Sequence, residues 1–361
     1  MSERYDKIRH WVRQPVQELS AYHVPEAQGF IKLDAMENPY TWPVDMVEDW
    51  LQLLRTVHLN RYPDPAAQAL RQRLQQIMQV PPGHDVLLGN GSDEIIQMIL
   101  MAVSGKARAV LAPEPGFVMY KMITTFLDMS YVGVPLCDDF SLDRDAMLAA
   151  IRQQNPAVIF LAYPNNPTGN LFDDDDVEAI VEAADGLVVI DEAYHAFAGR
   201  TWMQRMTQYA NVLVMRTLSK MGLAGLRLGL LAGHPDWLQQ FDKVRLPYNI
   251  NVLTQASAEF ALAHQDILDT QTRRICQDRE QLVSELKTLP GIEVFPTQAN
   301  FVLFRTQAGT ADNVFQALKH QNILIKNLSH AGGSLKDCLR VTVGTAEENR
   351  AFMTALQHAL G

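Results

Sequence analysis

Cysteine is scarce: only Cys137, Cys276 and Cys338 occur in 361 residues. Their wide separation, with no paired spacing, suggests neither a disulfide framework nor a zinc knuckle. No apolar run approaches the ~18 residues needed to span a bilayer. The opening stretch MSERYDKIRHWVRQP is charged and lacks an apolar centre, so no secretory signal is read there and a cytoplasmic location is expected. Positive charge is also short. Against 41 Asp and Glu stand 31 Lys and Arg, for a formal net charge of -10. Broad binding to nucleic acid or anionic lipid needs a basic surface and is disfavoured. Any anionic ligand must be caught by a local cluster. Internal repeats and low-complexity tracts are absent too. The acidic run Asp173-Asp174-Asp175-Asp176 precedes the helical pattern VEAIVEAA and reads as a helix start rather than a metal site.

What the chain does have is alternation. From about residue 85, short apolar runs take turns with helical patterns: VLLG (86–89), ARAVLA (107–112), MSYVGV (129–134), AVIFLAY (157–163), GLVVID (186–191), NVLVMRT (211–217) and RLGLLAG (227–233). Runs this short and this rich in Val, Ile and Leu suit strands buried on both faces. Helical segments between them imply crossover units and a mostly parallel seven-stranded sheet in a large α/β domain, placed at 31–249. After residue 250 the texture changes. A long helical region (254–288), the strand ANFVLF (299–304), the helix NVFQALKHQ, the strands NILIK and CLRVTV and a last helix form a smaller α+β unit. Residues 1–30 lack strong periodicity and are expected to pack against that unit or a partner subunit as an N-terminal arm.

Ligands of open parallel sheets bind beyond the carboxyl ends of the strands, so the residues following each run carry the chemistry. After VLLG comes NGSDE (90–94), where glycine and short polar residues open a helix. Its free backbone N–H groups suit a phosphate, although a plain N-cap reads the same way. Gly89 and Gly91 imitate a dinucleotide fingerprint, but Glu94 holds the place of the third glycine. After ARAVLA, PEPGFVMY puts Phe117 and Tyr120 near the rim, as core or as a cover for a flat ring. PNNPTG (164–169) is a rigid turn projecting Asn165 and Asn166. DEAY (191–194) sets Asp191 at the end of a buried strand, where an unpaired carboxylate is costly, with Tyr194 three residues on. Ser219, Lys220 and Arg227 follow NVLVMRT in apolar company. An enclosed lysine has its ammonium disfavoured and can attack a carbonyl to form a Schiff base. His195 reads as a loop or core histidine.

Taken together, these parts match what pyridoxal 5′-phosphate requires: an amine for its aldehyde, a carboxylate for its ring nitrogen, donors for its phenolic oxygen and phosphate, and an aromatic face. In order and spacing, Asn165-Asn166-Pro-Thr-Gly, Asp191-Glu-Ala-Tyr194 and Ser219-Lys220 with Gly225-Leu-Arg227-Leu-Gly229 resemble the fold-type I aminotransferases from about residue 30 to the end. LNRYPD (59–64), GNGSDE, SKMGLAGLRLG and CLRVTVGT (338–345) narrow the resemblance to the histidinol-phosphate group within that fold.

The resemblance implies a pyridoxal-phosphate transferase fold and a homodimer in which Tyr62 of one chain reaches the cofactor phosphate of the other. It implies Lys220 as Schiff-base lysine and proton carrier, with Asp191 on the pyridinium and Asn166 and Tyr194 on the phenolic oxygen. Gly91, Ser92, Asp93, Ser219 and Arg227 would meet the phosphate, and Phe117 would stack on the ring. Tyr22, Asn38, Lys326 and Arg340 would contact substrate, Lys326 as a point charge where many relatives carry arginine. Tyr248 and Asn249 in LPYNIN also fit the pattern. The implied reaction takes L-histidinol phosphate and 2-oxoglutarate to imidazole-acetol phosphate and L-glutamate. An aromatic or broad-range aminotransferase and a phosphothreonine decarboxylase share the scaffold as alternatives.

Overall fold

Runs of Val, Ile and Leu that point side chains alternately to two apolar faces form the centre of the protein. The computed structural model describes residues 3–21, 26–105 and 107–361. In chain order the strands are β1 (Ile31–Lys32), β2 (Asp85–Gly89), β3 (Ala109–Glu114), β4 (Ser130–Pro135), β5 (Val158–Ala162), β6 (Leu187–Asp191), β7 (Val212–Thr217) and β8 (Gly229–Gly233). They continue with β9 (Glu293–Val294), β10 (Phe301–Arg305), β11 (Ile323–Leu324), β12 (Lys326–Asn327) and β13 (Cys338–Thr342). Seven of them form one sheet in the order β2-β8-β7-β6-β5-β3-β4. β8 pairs antiparallel with both neighbours, whereas the pairings from β7 to β4 are all parallel. Six strands therefore end at one edge. Along β5, Ile159 and Leu161 join the cluster on one face while Val158 and Phe160 join the cluster on the other. Helices cover both sides, as a parallel sheet requires.

The chain steps outward from β3 to β4 and then returns to lay β5 on the other side of β3. That reversal opens a crevice at the strand ends. At the far end of the edge, Gly229 faces Gly89 across the β2–β8 pairing. A Cβ at Gly229 would stand 2.7 Å from the Gly91 carbonyl carbon, so only glycine lets the helix Gly91–Val103 start this close to the sheet.

A second sheet, β12-β13-β10-β9, is antiparallel and packs with the helices Gln265–Leu286, Ala311–His320 and Ala346–Leu360 around Phe301, Phe304, Leu339 and Phe352. Thr345 and Glu348 form a capping box at the start of the last helix. The segment after β1 is sewn to this sheet. β1 pairs with β11, Thr342 N donates to Leu33 O, and Met36 N donates to Thr342 Oγ1. Asn300 Nδ2 closes the set by donating to Met36 O. No helix among the described residues is long and apolar enough to cross a membrane.

Several boundaries differ from those read in the sequence. The strand expected from residue 227 begins at Gly229, because Arg227 takes a left-handed conformation at φ 51°. NILIK is not one strand; Ile323–Leu324 pairs with β1 and Lys326–Asn327 with β13. The helical region 254–288 is two helices, Val252–Ala263 and Gln265–Leu286, broken at His264. The aperiodic N-terminal arm contains the helices Glu3–Trp11 and Gln14–Gln17. They show no periodicity because they bury no face of their own. Among its described residues the arm meets the large unit through Arg13, which donates to Phe126 O and pairs with Asp128 at 3.4 Å, beside the helix Val118–Phe126.

Candidate active site

Beyond the ends of β3, β5, β6 and β7 lies a cavity of about 410 Å³, walled on one side by Ala35, Met36 and Glu37. β6 delivers Asp191 to it as its last residue, only 3% exposed. Tyr120 donates to Asp191 Oδ2 at 2.6 Å and the Ala193 N–H to Oδ1 at 3.1 Å. Burial lifts the Asp191 pKa to about 6, and these two donors hold it from rising further. Tyr120 was legible only as an aromatic near the rim. It is fully buried, stacks on Phe160 with centroids 4.6 Å apart, and meets Phe117 edge-on at 5.5 Å.

β7 hands the chain to a short turn carrying Ser219 and Lys220. Lys220 Nζ donates to Ala35 O at 3.3 Å and lies 5.9 Å from the Tyr194 ring centroid. Burial, and then the Arg340 guanidinium, lower its pKa to about 8. A free amine is thus within reach near neutral pH.

The remaining polar groups gather at two places. Near the start of the helix Gly91–Val103, Arg227 Nη2 bonds Asp93 Oδ2 at 3.3 Å, and Thr217 Oγ1 donates to Ser219 Oγ at 2.9 Å. Burial raises the Asp93 carboxyl, and Arg227 and Lys220 oppose that shift. Gly91 has φ +75°, and a Cβ there would meet Arg227 Nη2 at 2.8 Å, so Gly91 lies beneath the guanidinium. At the end of β5, Asn166 Nδ2 donates to Tyr194 Oη at 3.1 Å. Its Oδ1 accepts from Arg340 Nη1 at 2.6 Å, and Arg340 Nη2 donates to Asp34 O at 3.2 Å.

The cavity therefore brings together Ser92, Asp93, Phe117, Asn166, Asp191, Tyr194, Ser219, Lys220 and Arg227. Arg340 and Lys326 line an adjoining space of about 700 Å³ that shares Met36, Phe117 and Asn166 with the first. They are directly opposed across the β12–β13 pairing. Asn38 donates to Gln271 at 3.0 Å beside a smaller cavity that shares Glu37, Ala224 and Gly225 with the first. Tyr62 is 80% exposed and stacks on Tyr248 at 4.4 Å, outside this chain's own cavity. Tyr22 lies outside the described residues. His195 faces a different pocket; burial lowers its pKa to about 3, and its Nδ1 sits 3.1 Å from Glu192 O. Asp173 caps its own helix.

These residues fit pyridoxal 5′-phosphate on their donor chemistry. A buried carboxylate whose protonation is held in check by two donors suits a cationic ring nitrogen. An amine with a depressed pKa suits an aldehyde. A helix start with Ser92, Ser219 and Arg227 suits a phosphate.

Comparison with known proteins agrees with this chemistry. The profile of aminotransferase class I and II matches residues 28–356. The chain is 58% identical over 352 residues to a histidinol-phosphate aminotransferase 2 of Nitrosococcus oceani, covering 98% of each chain. It is 51% identical to one of Cupriavidus pinatubonensis, over 98% of this chain and 97% of that one. Among solved structures, histidinol-phosphate aminotransferase from Sinorhizobium meliloti in complex with pyridoxal-5′-phosphate superposes with a TM-score of 0.86, at 26% identity and 97% coverage of both chains.

Proposed function

We propose that this chain, which belongs to the class I and II aminotransferases, transfers an amino group from L-histidinol phosphate to 2-oxoglutarate, yielding imidazole-acetol phosphate and L-glutamate. One observation carries the substrate assignment. Arg340 and Lys326 are cross-strand partners lining the space that adjoins the Lys220 cavity. Like charges directly opposed in a sheet repel, and an anion between them turns that cost into attraction. A phosphate bearing nearly two charges at neutral pH suits the pair. Arg340 can also take a carboxylate side-on, which lets one site serve histidinol phosphate and glutamate in turn.

Pyridoxal 5′-phosphate would be held by Lys220 at its aldehyde, Asp191 at its ring nitrogen and Asn166 with Tyr194 at its phenolic oxygen. Phe117 would cover the ring. The start of the helix Gly91–Val103 would receive the phosphate together with Ser92, Asp93, Ser219 and Arg227. When bound, the group draws off the electron pair released from the substrate Cα–H bond. The chain's own work is positional and protonic. Asp191 keeps a negative charge opposite the ring nitrogen, Lys220 carries the Cα proton, and Arg340 fixes the substrate so that this proton faces the amine.

A homodimer in the cytoplasm is part of this proposal. Support for the dimer is the pair Tyr62 and Tyr248, which stack on each other at the surface with Tyr62 80% exposed. From there Tyr62 would serve the partner's phosphate site.

Steady-state rates with histidinol phosphate, phenylalanine and phosphothreonine test the substrate. Histidinol phosphate should give the highest kcat/KM; a higher value for phenylalanine, or decarboxylation of phosphothreonine, would replace the assignment. Arg340→Ala should raise KM roughly 10–100-fold for histidinol phosphate and glutamate alike, the scale of charge-assisted hydrogen bonds. A rise confined to glutamate would defeat the shared anion site.

A further inference from the structure

The 700 Å³ cavity has a wall that amino-group transfer does not use. Glu114 closes β3, and its carboxylate lies over β4 at Gly133. A Cβ at Gly133 would stand 2.5 Å from Glu114 Oε2, so this glycine leaves the room that the carboxylate fills. Tyr131, two residues earlier on β4, sets its phenol in the field of the Glu114 carboxylate. Burial and then that carboxylate push the Tyr131 phenol above its ordinary range, so it remains a donor at physiological pH. Lys121 Nζ stands 3.6 Å from Glu114 Oε1 and 5.5 Å from the Tyr131 ring centroid.

A carboxylate has about four acceptor sites. Lys121 sits just beyond hydrogen-bond reach. Glu114 thus fills the room that Gly133 leaves, lines the cavity and keeps acceptor capacity. The opposing wall carries the cations Lys326 and Arg340 from the other sheet. A ligand matching both walls has an anion on one part and an N–H donor on another.

We propose that Glu114, seated over Gly133 beside Tyr131, accepts a hydrogen bond from a ring N–H of the substrate and so sets the preference for an imidazole over a benzenoid side chain. The inference rests on the proposed function and extends it to the ring. A neutral imidazole offers one N–H and its cation two, whereas a phenyl ring offers none. A site that holds an acceptor ready discriminates against an analogue lacking the donor. Because Glu114 is 41% exposed at its side chain, that discrimination is modest.

The test compares histidinol phosphate with 2-amino-3-phenylpropyl phosphate, the same amino alcohol phosphate with phenyl in place of imidazole, on the loaded enzyme. Glu114→Gln, which keeps an acceptor oxygen but loses the charge, should lower kcat/KM for histidinol phosphate by about 3–10-fold, the difference between a charge-assisted and a neutral hydrogen bond at a partly exposed site, and leave the phenyl analogue within about twofold. Tyr131→Phe should shift the ratio the same way by a smaller factor. Equal losses on both compounds would make Glu114 merely structural, and no loss on either would make it idle; each overturns the inference while the transaminase assignment stands. A parent enzyme inert towards histidinol phosphate refutes the substrate itself and this inference with it.

Discussion

Lys220→Ala abolishes transamination and leaves a protein that no longer holds pyridoxal 5′-phosphate covalently. The side chain has two jobs, attachment and proton transfer, and proton transfer alone accounts for ~10²–10⁴-fold. Burial and Arg340 hold its amine near pKa 8, against an ordinary 10.5. The rate at which the parent protein fixes added cofactor under borohydride should therefore climb through about pH 8, well below the 10.5 of a solvated lysine. Peptide mapping of the reduced protein should find the pyridoxyl mass on the peptide containing residue 220 in the parent and on none in the variant. A label at another lysine, or turnover surviving in the variant, would remove the basis of the proposed function.

Asp191→Asn is expected to separate catalysis from stability. Turnover should fall roughly 10²–10³-fold, the scale of truncating one partner of a buried charge pair. The empty protein should move the other way. Burial raises the Asp191 pKa from an ordinary 3.8 to about 6, so the folded state binds its proton more tightly than the unfolded chain does. Keeping the charged form buried costs stability once pH rises through about 6. Asparagine removes that cost. The cofactor-free variant should gain on the order of 2 kcal/mol at pH 7–8, with the gain vanishing below about pH 4. Thermal unfolding across that range is the measurement. A variant no more stable than its parent at pH 8 would mean that Tyr120 and Ala193 already compensate the carboxylate in full.

Most of the large sheet was legible because both of its faces are buried. Its strands read as continuous apolar runs, and each polar residue following a run stood out. Asn166, Asp191, Ser219 and Lys220 were found in this way. What was not legible depends on distance along the chain. Tyr120 reaches Asp191 across 71 positions from inside a helix, and a buried tyrosine has the same local signal as any core aromatic. The Arg340–Asn166 bond joins residues 174 apart, one in β13 and one in the turn after β5. Ala35 enters the cavity through its backbone carbonyl, which leaves no trace in side-chain chemistry. NILIK looked like one strand because its apolar pattern is continuous; only the change of pairing partner divides it. Glu114, a charged residue before proline, has no signal of its own in the sequence. Its significance comes from a glycine on the neighbouring strand.

The stitching of residues 33–36 has a mechanical consequence. Leu33 and Met36 are bonded to Thr342 and Asn300, and the carbonyl of Asp34 accepts from Arg340. Lys220 reaches the same stretch through a single bond to Ala35. One rim of the cleft is therefore riveted to the C-terminal sheet and merely latched to the large one. If the two sheets swing apart or together, the rim and Arg340 travel as one jaw, at the cost of the Arg340–Asn166 bond.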